Sequence, residues 1–144
     1  MKIATRIATC DDHEFIYDVK KQALGPYINR VWGWNEGFQL AIHRKEFDPS
    51  RLLVVTVADH KAGIIEVISN TSCIVLNKLY LQPEYQRQGI GTHLISCILM
   101  QAQQRDVPVR LQVLKCNPAQ KLYKRLGFVK IKECETHIRM EYSL

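Results

Sequence analysis

Residues 79–92, Leu-Tyr-Leu-Gln-Pro-Glu-Tyr-Gln-Arg-Gln-Gly-Ile-Gly-Thr, constrain the fold more than any other stretch. A β-rich run ends in Leu81-Gln82-Pro83, and a turn holding Gly89 and Gly91 opens directly into an apolar-striped helix. Glycine lets a backbone approach a ligand and aim successive N–H groups at it. A helix start adds unpaired donors and a partial positive charge. Together they make a phosphate or pyrophosphate site. The dinucleotide fingerprint would need a third glycine where Leu94 stands, and a Walker A loop would need Gly-Lys at Leu94-Ile95. Both of those readings fail.

The other elements follow from period and punctuation. Ile3, Thr5 and Ile7 alternate as a short strand. Asp11 and Asp12 offer N-cap chemistry, with Glu14 three residues after Asp11 in capping-box style. Phe15, Ile16, Val19 and Ala23 form a helical stripe that Gly25-Pro26 is expected to end. A second helix is expected from about Trp34 to Phe47, with Phe38, Ala41 and Ile42 on one face and Asp48-Pro49-Ser50 as its stop. Leu52–Ala58, Ile64–Ile68 and Cys73–Leu81 read as three strands of an antiparallel meander, joined by turns at 59–63 and 70–72. Leu94, Ile95, Ile98, Leu99 and Ala102 define the helix after the glycine loop. Val109, Leu111 and Val113 mark the next strand. Asn117-Pro118 starts a helix carrying Ala119, Leu122, Tyr123 and Leu126, and Gly127-Phe128 suits its C-terminal cap. Phe128–Lys132 and Ile138–Tyr142 are the last strands. The order is β-α-α-β-β-β-α-β-α-β-β, an α/β chain with a mixed, mostly antiparallel sheet of about seven strands.

The 144 residues suit a single domain, 1–144. Hydrophobic residues at 47% and charged residues at 24% exclude a disordered or fibrous chain. No apolar run approaches the roughly 20 residues of a membrane span. The net charge is +6, and its placement is uneven. Residues 1–82 carry ten basic and nine acidic side chains, whereas 83–144 carry ten and five. Five cysteines, an odd number without a CxxC pair, and no secretory apolar run after Met1-Lys2 give the expectation of a reduced, cytoplasmic compartment.

Gln86-x-x-Gly89-x-Gly91 resembles the Q/R-x-x-G-x-G/A acetyl-CoA loop of the GNAT acetyltransferases. The Leu-x-Pro before it, the order of elements, and Asn117, Ala119, Tyr123 and Gly127-Phe128 at the family's spacing extend that resemblance over essentially the whole chain. It implies the GNAT fold and transfer of acetyl from acetyl-CoA, a co-substrate, to a primary amine of a small molecule or peptide within a ternary complex. It also implies main-chain contacts to the acetyl-pantetheine arm from Tyr80 and Leu81. A pyrophosphate cradle would come from Gln86, Arg87, Gln88, Gly89, Ile90, Gly91 and Thr92. Asn117 is expected to cap its helix and touch pantetheine. Tyr123 is expected to bind the cofactor and act as general acid toward the leaving thiolate, or else to be one core position with its hydroxyl at the edge. For the base, Asn77 and Lys78 stand where family members often carry Glu. Glu66, Glu36 and a water relay remain open. Arg87, Lys115, Lys121, Lys124 and Arg125 place the basic excess where one phosphorylated cofactor would need it.

Val31-Trp32-Gly33-Trp34-Asn35-Glu36 holds both tryptophans of the chain. By the resemblance this stretch walls the acceptor cleft, so Trp32, Trp34 and Glu36 are substrate candidates that would stack on the acceptor and attract its ammonium. The alternative is that the indoles plug the gap between helices and sheet. No histidine has a partner at metal-ligand spacing, so no metal is expected. Cys116 reads as a strand-end residue near the expected thiol. The competing class is a non-catalytic acyl-CoA-binding module. A nucleic-acid binder lacks a recognition motif, and no nucleic acid or membrane partner is expected. A homodimer stays open.

Overall fold

The periodicities resolve, in a computed structural model that describes residues 1–143, into the expected order of elements. These are β1 (Ile3–Ile7), α1 (His13–Trp32), α2 (Glu36–Glu46), β2 (Leu53–Val57), β3 (His60–Ser69) and β4 (Ile74–Leu81). They continue as α3 (Ile90–Arg105), β5 (Val109–Leu114), α4 (Ala119–Arg125), β6 (Val129–Glu133) and β7 (His137–Tyr142). The strands form a seven-stranded sheet in the order β1-β2-β3-β4-β5-β7-β6. The β4–β5 pair is parallel, Ile74 to Leu76 lying against Val109 to Leu111. A parallel pair needs a long crossover, and α3 supplies it. Pairs β1–β2, β2–β3, β5–β7 and β6–β7 are antiparallel. Contacts gather into two units, Met1–Glu66 with Lys78–Gln86, and Val67–Asn77 with Arg87 onward.

In the first unit, Ala8, Ile16, Val19, Leu52, Val54 and Ile64 form a buried cluster, with Phe15, Phe47 and Tyr80 packed on it. Each large aliphatic side chain buried this way contributes roughly 1.5–3 kcal/mol. Three expectations are corrected here. Gly25-Pro26 does not end α1, which runs through it to Trp32. The residue before proline avoids the helical region largely because of its Cβ, and Gly25 has none. Asp12 is not a simple N-cap: its carboxylate is 1% exposed and held by Arg6 Nη1 at 2.9 Å and Lys61 Nζ at 2.8 Å. It also accepts the Thr9 amide at 2.8 Å, which makes Thr9–Asp12 the capping box in place of Asp11–Glu14. Finally, α2 does not bury Phe38, which is 60% exposed; it buries Gln39 and His43. Those polar groups are satisfied, Gln39 Oε1 by Lys20 Nζ at 3.4 Å and His43 Nε2 on the His13 carbonyl at 3.1 Å.

The turn expected at 59–63 is tighter than its sequence suggests. Ala58 and Asp59 both take positive φ, 50° and 69°, which gives a two-residue hairpin of the primed kind. Strand β3 therefore starts at His60, and Gly63 lies within it. Its register against β2 shifts between Val55 and Thr56, skipping Ala62, as a β-bulge does.

In the second unit the expected faces hold. Leu94, Ile95, Ile98, Leu99 and Ala102 of α3 are buried, as are Val109, Leu111 and Val113 of β5. Helix α4 ends in a Schellman motif. Phe128 N–H donates to the Tyr123 carbonyl at 3.0 Å and Gly127 N–H to the Lys124 carbonyl at 3.1 Å, with Gly127 at φ 103°. The Tyr123 and Phe128 rings meet at 5.8 Å between centroids, the hydrophobic contact such an ending uses.

Candidate active site

The glycine loop is built by backbone geometry. Gln82 N–H donates to the Ala62 carbonyl at 2.8 Å, the last tie of β4 to β3. Pro83–Tyr85 form one 3-10 turn. The Gln86 side chain then turns back, its Nε2 donating to the Leu81 carbonyl at 2.9 Å. Gln86 thus pins the loop to the strand end rather than offering its amide to a phosphate. Beyond it, Arg87 and Gly89 take left-handed φ values of 61° and 82°. Gly89 is the residue before α3, and nothing lies within 4 Å of where its Cβ would be. Its glycine is therefore a matter of backbone conformation alone. Gly91 serves differently: a Cβ there would lie 3.4 Å from Leu122 Cδ2, so it lets α3 sit close to α4. The amides of Ile90, Gly91 and Thr92 belong to the first turn of α3, where no carbonyl of the helix can reach them. Arg87, Gln88 and Gly89 are exposed, while the Ile90 side chain is buried, so Ile90 can offer only its backbone outward.

Asn117 caps α4, its Oδ1 accepting the Ala119 amide at 2.9 Å. Tyr123 is 8% exposed, and burial pushes its phenol up to about 12. At neutral pH it is a hydrogen-bond donor that keeps its proton. The basic excess is partly neutralised inside this unit: Lys115 pairs with Glu133 at 3.4 Å and Arg110 with Glu141 at 2.8 Å. Lys121, Lys124 and Arg125 remain exposed on α4.

Within the first unit a shallow pocket of about 40 Å³, open to solvent, lies among α1, α2, β3 and β4. Apolar walls come from Ile16, Ile42, Phe47 and Ile64, and polar groups from Lys20, His43, Glu46, Lys78 and Tyr80. Desolvation first, and the neighbouring charge of Lys78 second, lower the pKa of the Lys20 ammonium. Burial likewise lowers the pKa of His43. When neutral, its Nε2 must carry the hydrogen given to the His13 carbonyl, which leaves Nδ1 as the acceptor. Sequence reasoning singled out none of Lys20, His43 or Glu46, and noted Lys78 only as standing where family members often carry Glu. Their positions, 58 residues apart at the extremes, carry no shared motif.

The acid candidates are placed as follows. Glu66 is 5% exposed and ion-paired, to Arg51 Nε at 3.3 Å and Lys78 Nζ at 3.9 Å. Glu36 accepts the Trp34 indole N–H at 2.7 Å and pairs with Lys21 at 2.9 Å. These two contacts, the indole foremost, hold the Glu36 carboxyl below its usual range. Trp34 packs its ring against Gly25 and Tyr17, while Trp32 is 59% exposed. Trp34 and Glu36 are brought together; Trp32, Trp34 and Glu36 are not among the residues lining the pocket. Among the described residues, no three His, Cys, Asp or Glu side chains group as a metal site, and no helix is long and apolar enough to cross a membrane.

A seven-stranded, mostly antiparallel sheet with one crossover helix opening on a glycine loop defines an acetyltransferase-type α/β fold. The family model described as "Acetyltransferase (GNAT) domain" matches residues 15–140. The chain belongs to the GNAT family, and its enzyme class is acyltransferase. Solved structures agree in fold. PaiA N-acetyltransferase from Thermoplasma acidophilum, in complex with coenzyme A, is 20% identical with a TM-score of 0.78, covering 100% of each chain. An acetyltransferase from Thermus thermophilus is 17% identical at TM-score 0.73, covering 100% of this chain and 98% of the other. The ribosomal-protein-S18-alanine N-acetyltransferase from Escherichia coli is 19% identical at TM-score 0.68, covering 99% and 96%. No curated protein sequence matches the chain.

Proposed function

We propose that this chain is an acetyl-CoA-dependent N-acetyltransferase acting on a primary amine by direct transfer in a ternary complex. The observation that carries the reading is the glycine loop, with Arg87 and Gly89 in left-handed conformation ahead of α3. A left-handed turn ahead of a helix start is the backbone arrangement that supports a pyrophosphate site. A solved relative of the same fold holds coenzyme A.

Four demands follow from the chemistry. The thioester is held by backbone groups of Tyr80 and Leu81, one of whose amides polarises its carbonyl. The pyrophosphate takes the amides of Arg87 to Thr92, with Gln86 holding the loop in register and Asn117 beside the pantetheine. The thiolate leaves toward the Tyr123 hydroxyl. A phenol raised by burial is a weak proton source but a persistent donor, so its chief contribution is a hydrogen bond to the sulfur as charge develops. The amine must lose a proton before or during attack. Glu66, buried on β3 and paired with Arg51 and Lys78, and Glu36, engaged by Trp34 and Lys21, are both held by cations or donors, so either carboxylate or a water relayed through one of them takes that proton. Alignment of two bound reactants supplies much of the remaining rate.

The test is direct. Purified protein is mixed with acetyl-CoA and a panel of amines, and free thiol release is followed. Acetylation of any amine supports transfer. Thermal stabilisation by acetyl-CoA with no amine ever acetylated would identify a non-catalytic acyl-CoA-binding module instead. Failure to bind acetyl-CoA would remove the loop assignment itself.

A further inference from the structure

The first-unit pocket combines features that a simple amine-binding cleft would not. Two lysines, Lys20 of α1 and Lys78 of β4, line one apolar pocket. Ammonium groups are strongly hydrated, and placing two of them together beside Ile16, Ile42, Phe47 and Ile64 is unfavourable unless something compensates. The acidic groups at hand fall short. Glu66 touches Lys78 only at 3.9 Å and lies nearer to Arg51, at 3.3 Å. Glu46 lies at the exposed rim, and Lys20 otherwise reaches only the neutral Gln39 amide oxygen, at 3.4 Å. The pocket lining itself sets two ammonium groups, Lys20 and Lys78, against one carboxylate, Glu46; adding the Arg51–Glu66 pair, which contacts Lys78 from outside the lining, gives three cations and two carboxylates. His43, the remaining titratable lining group of α2, is buried on the His13 carbonyl.

We infer that the amine acceptor carries a carboxylate on an apolar body, and that Lys20 and Lys78 bind that carboxylate in the first-unit pocket. This rests on the transferase reading. One bound negative charge balances the three cations and two anions. It also relieves the mutual repulsion of Lys20 and Lys78, which together with desolvation weakens the charged state of Lys20. The apolar walls take the body of the acceptor. A carboxylate suits the site better than a phosphate, because no glycine turn or helix N-terminus is among the lining residues. The acceptor class becomes an amino acid, or a peptide presenting a free carboxylate, rather than a plain polycation. The sequence-based expectation for Trp32, Trp34 and Glu36 concerns the acceptor's ammonium and is a separate matter; in the structure Glu36 pairs with Lys21.

The experiment uses matched acceptors that differ only in the carboxylate: 4-(aminomethyl)benzoate against 4-(aminomethyl)benzamide, and Gly-Phe against Gly-Phe-amide. The wild type is expected to prefer the carboxylate member by at least about tenfold in kcat/KM, the scale of one charge-assisted contact. Lys20→Met and Lys78→Met should each bring that ratio close to one, while acetyl-CoA affinity is retained. Equal use of both members by the wild type, or an undiminished preference in the double variant, overturns the inference. Direct titration with the unreactive 3-phenylpropionate keeps the two readings apart. If acetyl-CoA fails to bind but 3-phenylpropionate binds and Lys20→Met weakens it, the transferase reading falls and the anion site stands. No binding of 3-phenylpropionate, or tenfold tighter binding of 2-phenylethylphosphonate, removes the carboxylate assignment. Lys20→Gln, which keeps the contact to Gln39 polar, serves if Lys20→Met does not fold.

Discussion

The carbonyl oxygen of Tyr80 occupies the space that a side chain on Gly63 would need: a Cβ built there would lie 2.1 Å from it and 3.0 Å from Leu81 Cα. Both obstacles are backbone, so a rotamer change cannot clear them. Gly63, next to the Ala62 bulge of β3, thus lies against the end of β4, the segment proposed to hold the thioester.

Gly63→Ala should therefore destabilise the protein by roughly 2–4 kcal/mol, at or beyond the upper end for overpacking, because strands rather than side chains must part. Urea unfolding measures it. A variant as stable as wild type would show that β3 and β4 have room to separate. Where the variant still folds, its acetyl-CoA affinity should fall too, since Tyr80 and Leu81 are the atoms displaced.

Gly89→Ala separates conformation from contact. With open space around the missing Cβ and a φ of 82°, the substitution meets only the left-handed penalty, roughly 1–2 kcal/mol. Stability should drop by about that amount. Acetyl-CoA affinity, read by titration calorimetry, should drop about tenfold as the loop relaxes toward negative φ and turns its amides away. Unchanged affinity would mean that the loop amides do not hold the pyrophosphate.

The second unit was readable in the sequence because each of its signals is local. Stripes at 3.6 residues, the Asn117-Pro118 start and the Gly127-Phe128 ending each specify geometry within one turn of helix. The first unit was less readable where long-range partners decide. Gly25-Pro26 reads as a helix end, yet α1 runs through it to Trp32. Phe38 was expected on the apolar face of α2, yet the structure buries Gln39 and His43 instead. Lys20 and the His13 carbonyl, more than 15 residues away, satisfy those two polar groups and let them be buried. The left-handed turn at Gly89 and the helix it opens were legible in the sequence, because glycine and the following apolar stripe are local signals. The pocket was not, since Lys20 and Lys78 are neighbours only once α1 packs beside β4.

Asp12 gives a stability prediction with a defined sign. The guanidinium of Arg6 above all, then Lys61 and the Thr9 amide, hold its carboxyl far below the usual carboxylate range. A depressed folded-state pKa contributes stability that is present above the unfolded value of about 3.9 and is lost as pH falls through the folded one. At pH 7, Asp12→Asn should lower stability by roughly 2–4 kcal/mol, since it leaves Arg6 and Lys61 without their shared carboxylate. Between pH 5 and pH 2 the gap between wild type and variant should shrink by more than half. A gap that stays constant over that range would show that the ionised carboxylate is not what stabilises this corner.

Tyr123→Phe tests the departure of the thiolate. Removing the hydroxyl leaves the ring on Phe128 and the Schellman ending intact, so stability should change by no more than about 1 kcal/mol. The rate constant kcat should fall about 100-fold with acetyl-CoA affinity retained, the lower end for loss of a positioned acid. Equal losses in binding and turnover would make Tyr123 a packing residue. The pH profile carries independent information. The competent form is the protonated phenol, and burial raises its pKa to about 12, so that form persists upward through the alkaline range. An unperturbed tyrosine would be half ionised near pH 10. Wild-type turnover should therefore show no alkaline decline that Tyr123→Phe abolishes below pH 10. A decline centred near pH 10 that disappears in the variant would mean that the hydroxyl is solvated during catalysis rather than buried as in the structure.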